Sequence, residues 1–90
     1  MRKTRPAIIV SNDVANLYAN RVQLVPLSSK TEKVFPCDAK VLVDGQVSKA
    51  MTDQLTTVTK EKCTGRIGVI SVSDMHRVEM AMRIQLGLAA

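Results

Sequence analysis

The chain has 90 residues, with 13 Lys and Arg against 8 Asp and Glu, a net charge of +5 and a pI near 9.6. A chain of this length builds one modest core, and so small a domain often gains stability by pairing with a second copy. The basic excess favours an anionic partner such as nucleic acid. One Tyr, one Phe and no Trp argue against a surface made of stacking rings.

The two cysteines, Cys37 and Cys63, have no C-x-x-C spacing and no neighbouring His or Cys to complete a ligand set. We therefore expect reduced thiols, with no metal and no cofactor. The basic start is followed by an apolar run of only four residues, which is too short for a signal peptide or a membrane span. The expectation is a single domain over residues 1–90, located in the cytoplasm.

The first predicted strand covers residues 7–10, where an apolar, β-branched run ends in Ser-Asn-Asp. Pro6 fits the first position of such a strand because it has no N–H for the ladder and its ring fixes φ. Arg5 is then held beside a core strand by a rigid neighbour and can meet a phosphate with its planar fork of donors. A solvated arginine next to a strand is the alternative interpretation.

The middle of the chain alternates short apolar runs with turn residues. We expect a helical turn over residues 14–18 capped by Asp13, and a turn at Asp44-Gly45. The Asp53-Gln54 pair falls at the centre of a threonine-rich strand, which indicates a wet or functional face. The predicted strands in this part are residues 22–27, 37–43, 50–58 and 66–70.

A helix should follow, from Val72 to about Leu86. Ser71 and Asp74 have the spacing of a capping box, and Gly87 provides the stop. We expect one apolar stripe to cover the sheet, consisting of Met75, Val78, Met82 and Leu86. A second stripe, roughly opposite, predicts a dimer interface and consists of Met80, Ile84 and Leu88. Packing of both stripes within one subunit is the alternative.

Short strands closed by one helix predict a mainly β fold, as a bent antiparallel sheet or partly open barrel with a C-terminal α-helix. There is no phosphate loop, nucleophile elbow or metal-ligand spacing, and the single histidine, His76, is expected at the surface. Arginine, hydroxyls and lysines could cleave RNA without metal if the substrate's 2′-OH is the nucleophile. The same groups could equally bind a phosphodiester without cutting it.

Five blocks of the sequence, taken in order, closely resemble the MazF/PemK family of toxin endoribonucleases. They are RPAIIVSND at 5–13, VPLSSK at 25–30, DQ at 53–54, RIG at 66–68 and MRIQLGL at 82–88. The resemblance implies an SH3-like β-barrel that acts as a homodimer. It also implies sequence-selective, metal-independent cleavage of single-stranded mRNA, and a cognate antitoxin that covers the RNA groove.

Carried over by position, the resemblance assigns catalytic roles to Arg5, Ser28 and Asp53. It assigns RNA binding to Lys30 and Lys33 in the polar loop, and to Gln54. Ser28 stands where a threonine is common in the family, and this exchange keeps the hydroxyl.

Two departures from the family pattern bear on activity. The family's N-terminal strand, of the type Arg-Gly-Asp-Ile-Tyr, and its glycine-rich loop are apparently missing, and Thr56 stands where a basic residue is expected. A truncated, non-catalytic barrel that binds RNA or antitoxin is therefore the alternative to a nuclease. A gyrase-poisoning toxin with the same barrel is a third hypothesis, which the arginine-proline block disfavours.

Overall fold

The computed structural model describes residues 5–88. These residues form five strands and two α-helices, joined by 3-10 turns at Thr52–Gln54 and Lys60–Lys62. In chain order the elements are β1 (Ala7–Ile9), α1 (Asp13–Tyr18), β2 (Arg21–Ser28), β3 (Asp38–Val43), β4 (Gln46–Met51), β5 (Thr56–Thr59) and α2 (Val72–Leu86).

Strand β2 organises an entirely antiparallel sheet by changing partners along its length. One side of β2 pairs with β1, while the other pairs first with β5 and then with β4 through Leu27↔Ala50 and Ser28↔Lys49. Strand β3 pairs with β4 along its whole length, and helix α2 packs against β3. The result is a half-barrel with a C-terminal helix, which confirms the predicted mainly β fold class.

The core fills the space between this bent sheet and α2. All of its members except Leu27 are small or β-branched, so the sheet and the helix lie close together. The buried cluster consists of Ile8, Val25, Leu27, Ala39, Val41, Ala50, Val78 and Ala81.

The predicted turn at Asp44-Gly45 is confirmed and closes the β3–β4 hairpin. Val43 pairs with Gln46 across it, and both turn residues have positive φ, 51° at Asp44 and 77° at Gly45. Two-residue hairpin turns need these left-handed conformations because they match the twist of the strands. Strand β4 therefore starts directly after the turn, in a polar stretch that the sequence analysis left unassigned.

The single strand predicted over residues 50–58 is wrong. Strand β4 ends at Met51, the chain makes the 3-10 turn Thr52–Gln54, and β5 begins afterwards. Thr52 is 1% exposed, and its backbone N–H and its hydroxyl both donate to the carbonyl oxygen of Cys37, at 3.2 and 2.5 Å. This contact bends the chain over the start of β3, so Asp53 and Gln54 lie on a turn.

The strand predicted over residues 66–70 is also absent from the described part of the chain. Ile67 and Val69 are 60% and 78% exposed, and only Ile70 packs against the core. An apolar, β-branched composition favours a strand only where a neighbouring edge is available for pairing.

Residues 5–88 contain no helix with the length and apolar character that a membrane crossing requires.

Helix α2 begins and ends as predicted. The Ser71 hydroxyl accepts the Asp74 N–H at 3.0 Å, and Gly87 adopts a left-handed φ of 68° at the other end. The Asp74 carboxylate accepts the backbone N–H of Leu42 at 2.9 Å, which ties the helix to the edge strand β3. At α1, the capping residue is Asn12 and not Asp13, because the Asn12 side chain accepts the N–H of Ala15.

The stripe predicted to cover the sheet is right in three of its four positions. Val78 is buried, and Met75 and Met82 pack against the core, but Leu86 is 54% exposed. At about 100° per residue, Leu86 lies about 80° around the axis from Val78 and so leaves the buried face. Ala81, which the prediction omitted, is buried in its place.

Candidate functional site

A groove of about 340 Å³ opens where β2 ends and its two neighbours diverge. One wall comes from the two residues before β1, the second from β4, and the end from the last residues of β2 and those that follow it. We call it the Arg5 groove. Its lining residues are Arg5, Pro6, Leu27, Ser28, Ser29, Lys30, Gln46, Ser48 and Met51.

Arg5 lines this groove because Pro6 fixes the backbone beside it. The Pro6 carbonyl accepts the N–H of Leu27 at 3.1 Å, and the missing Pro6 N–H leaves no ladder donor unpaired. Arg5 therefore leaves the sheet next to the end of β2, and it is exposed. Arg5 lies beside the first strand as predicted, but β1 is an edge strand in which only Ile8 is buried, so the prediction of a core strand there is wrong. The exposed guanidinium is available to an anion in the groove.

Ser28 is the last residue of β2 and is half-buried in the groove. Its hydroxyl oxygen accepts the backbone N–H of Lys30 at 3.1 Å. Since that lone pair is occupied by a fixed donor, the hydroxyl hydrogen remains free to be donated to a bound oxygen. Arg5, Ser28 and Lys30 thus place two cations and one hydroxyl donor around one small space.

The β4 wall could not be predicted from the sequence. Strand β4 pairs with β2 only through Ala50 and Lys49, so the edge of its earlier residues facing β2 stays uncovered. Gln46 and Ser48 line the groove there, two positions apart on one strand. The Asp44-Gly45 turn was the available signal, because it fixes where β4 begins.

Lys33 does not line the Arg5 groove, although its loop is fixed nearby. The ammonium group of Lys49 donates to the Lys33 carbonyl at 2.9 Å and lies 3.9 Å from an Asp38 carboxylate oxygen. That carboxylate also accepts the N–H of Phe35 at 3.0 Å. Lys49 is therefore a structural residue that connects the loop to the sheet, and RNA binding by Lys33 stays a prediction.

Asp53 and Gln54 lie outside the residues that line the groove. The Gln54 amide contacts the sulfur of Met51 at 3.7 Å, so it stands directly behind one groove wall. Asp53 is exposed. One of its carboxylate oxygens lies within 4.8 Å of the Cys37 sulfur and of a carboxylate oxygen of Asp38. Sequence spacing could not reveal this cluster, since the Thr52 contact with Cys37 brings the turn to it.

The outer face of α2 is apolar and exposed, as predicted. Met80 and Ile84 on this face are 42% and 59% exposed. Leu88, the third residue of the predicted stripe, follows the Gly87 cap outside the helix and is 59% exposed. A second depression of about 300 Å³ lies between this face and β3, and Met80 and Ile84 line it together with Pro36, Ala39, Lys40 and His76. His76 is at the surface, where the sequence placed it.

This half-barrel is the fold of solved toxin endoribonucleases. One of them, an endoribonuclease in complex with its cognate antitoxin from mycobacterial species, superposes with a TM-score of 0.85 over 96% of this chain and 84% of that chain, at 23% identity. Residues 1–86 match the family described as PemK-like, MazF-like toxin of type II toxin-antitoxin system. The chain belongs to this family, which confirms the resemblance seen in the sequence.

Two curated relatives have similar sequences. Endoribonuclease MazF9 of Mycobacterium tuberculosis is 30% identical over 93% of this chain and 79% of its own length. The probable endoribonuclease MazF of Mycolicibacterium smegmatis is 33% identical over 97% of this chain and 84% of its own length. The aligned part therefore takes in most of each relative.

Proposed function

We propose that this toxin-family protein is an endoribonuclease that cleaves single-stranded mRNA at selected sequences, without a metal, by attack of the substrate's own 2′-OH. One observation carries the proposal: in a chain of this family, Arg5, Ser28 and Lys30 line one groove. The endoribonuclease names of both curated relatives support it.

In this mechanism Arg5 stabilises the transition state. Attack by the 2′-oxygen forms an O2′–P bond, breaks the P–O5′ bond and passes through a crowded phosphorane with extra negative charge. A guanidinium presents several N–H donors in a fixed plane, so it can contact two phosphoryl oxygens at once. Loss of one such donor typically costs about 10²- to 10³-fold in rate.

Ser28 supplies a second donor to the same phosphoryl group, since the contact from the Lys30 N–H leaves its hydroxyl hydrogen available. Cleavage also moves two protons, one from the 2′-OH and one to the departing 5′-oxygen. Asp53 is our candidate for orienting groups at the groove margin, and Lys30, Lys33 and Gln54 are candidates for contacts along the RNA path. An Asp53→Asn variant that cleaves at the wild-type rate would remove Asp53 from this account.

We further propose a homodimer that buries the outer face of α2. Met80 and Ile84 on that face, and Leu88 just beyond the end of the helix, are each at least 42% exposed. Exposed apolar patches of this kind usually mark an interface, and a two-fold pair buries the same patch on both copies.

An antitoxin is the second partner that we propose. It would neutralise the toxin by covering the Arg5 groove, where two cations favour acidic residues of a partner chain. The related endoribonuclease solved with its cognate antitoxin supports this assignment. Addition of the cognate antitoxin should suppress RNA cleavage at equimolar amounts, and unchanged cleavage in its presence would contradict the proposal.

The test of the proposed reaction uses a single-stranded RNA in EDTA and the same RNA with one 2′-deoxy nucleotide at a cleaved position. We expect discrete cuts that leave 2′,3′-cyclic phosphate and 5′-hydroxyl ends, and no cut at the deoxy position. Cutting that persists there would overturn 2′-OH attack. Binding of RNA without any product would instead establish the non-catalytic barrel.

A further inference from the structure

We propose that the β4 wall of the Arg5 groove is a nucleobase subsite, in which Gln46 reads the edge of one unpaired base and so sets the sequence preference. This inference rests on the proposed function, because it assumes that the groove takes an RNA strand. It adds a side chain that neither the sequence analysis nor the family resemblance assigned.

The lining of the groove divides into two chemically different parts. Arg5 and Lys30 supply positive charge, which suits a phosphate. The apolar surface of Pro6 and Met51 suits the face of a base. A nucleotide carries these two groups in one unit, and the groove offers a matching surface for each.

The apolar part can hold a base although no aromatic ring is present. Neither Tyr18 nor Phe35 lines the groove, so a stacked sandwich of rings is not available. The thioether of Met51 is polarizable and packs favourably against aromatic rings. Its sulfur is also in contact with the Gln54 amide at 3.7 Å, which restricts its position.

The groove has room for one nucleotide. Pockets that bury a drug-sized ligand run from about 300 to 1,000 Å³, and the Arg5 groove measures about 340 Å³. One base turned out of its stack would fit, and single-stranded RNA is commonly read in this way.

Gln46 is the residue with the chemistry to distinguish bases in this position. Its amide offers a donor and an acceptor side by side, and such a pair can contact the edge of a base in a bidentate manner. The hydroxyl of Ser48, on the same edge of β4, can donate or accept and therefore discriminates less. Gln46 is exposed and lies beside the left-handed Asp44-Gly45 turn, so the base can reach it without rearrangement of the core.

The test measures binding of four uncleavable 2′-O-methyl RNA hexamers, one for each base, by fluorescence anisotropy. We expect the wild type to bind one hexamer about 5- to 100-fold more tightly than the weakest, the range that one good bidentate contact supplies. Gln46→Ala should reduce the difference in affinity between the tightest and the weakest hexamer to about twofold. Gln46→Glu, which can only accept, should change the order of the four hexamers.

The matched controls are Gln85→Ala and Gln85→Glu, which alter an exposed glutamine of α2 outside the groove. They should keep the wild-type order, and thermal unfolding should confirm that every variant is folded. A Gln46→Ala protein that keeps the wild-type spread would overturn the subsite. If the wild type binds all four hexamers equally, the subsite is likewise refuted.

Cleavage of a degenerate RNA pool separates this inference from the proposed function. A wild type that cuts, with Gln46→Ala giving the same cut sites, refutes the subsite and leaves the nuclease standing. A wild type that binds with a base preference dependent on Gln46 but does not cut supports the subsite and refutes the nuclease.

Discussion

The salt dependence of RNA affinity should report how many cations of the Arg5 groove contact phosphate. Each phosphate contact on a single strand contributes about −0.7 to the slope of log K against log [salt]. Two cations, Arg5 and Lys30, line the groove, so we expect them to supply about −1.4 of the slope. Lys30→Ala should make the slope less negative by about 0.7.

This change has a direct consequence for affinity. Between 50 and 200 mM salt, one phosphate contact is worth a factor of about 2.6 in affinity, because the salt concentration changes fourfold. The measurement is an anisotropy titration of a labelled 2′-O-methyl RNA at four salt concentrations. Lys62→Ala is the control, since Lys62 is exposed on a turn outside the groove. If Lys30→Ala and Lys62→Ala change the slope equally, the groove is not the site of phosphate contact.

Three further predictions concern the stability of the fold and the proposed dimer interface. Asp74→Ala should lower the free energy of unfolding by about 2 kcal/mol, because the Leu42 N–H loses a charged acceptor. In urea titrations Glu79→Ala, an exposed acid on the same helix, should change little, and equal effects would contradict this role. Thr52→Val should cost about 1 kcal/mol through the lost hydroxyl bond, and wild-type stability in the same titration would contradict it. Ile84→Asp should convert the proposed dimer to a monomer in sedimentation equilibrium, and a wild-type protein that is already monomeric would refute the interface.

Helix α2 could be predicted closely because its limits are set by neighbours in sequence. The Ser71 hydroxyl accepts the free N–H of Asp74 at the start, and Gly87 adopts the left-handed conformation that ends the helix. Its buried face was harder to place at the last turn. The large apolar Leu86 was predicted to be buried and is exposed, while the small Ala81 was omitted and is buried. The second apolar face, with Met80 and Ile84, followed from the same periodicity.

The turn that carries Asp53 could not be predicted because a distant contact creates it. Threonine-rich sequence favours a strand, and only the burial of Thr52 against the Cys37 carbonyl interrupts it. The stretch at 66–70 shows the opposite case, in which strand-forming residues have no strand partner among the described residues. Tertiary contacts decide both outcomes.

Some residues of the candidate site could be predicted from the sequence, and others could not. Arg5 and Ser28 were found because they lie in blocks that resemble a family, and the structure brings them to one groove. Gln46 and Ser48 could not be found because their role depends on where β2 separates from β4, which is a property of the sheet. The first half of β4 is mostly polar, so the sequence did not predict a strand there. The uncovered edge of this strand is one wall of the site.

The most direct test of the account is the single-turnover rate of RNA cleavage in EDTA for the wild type and for Arg5→Ala. Arg66→Ala is the matched control, because Arg66 is exposed and lies outside the groove. We predict that Arg5→Ala slows cleavage by at least about 100-fold while Arg66→Ala stays within threefold of the wild type, a tolerance of about 0.65 kcal/mol. Wild-type cleavage by Arg5→Ala would contradict the assignment of the catalytic centre to this groove.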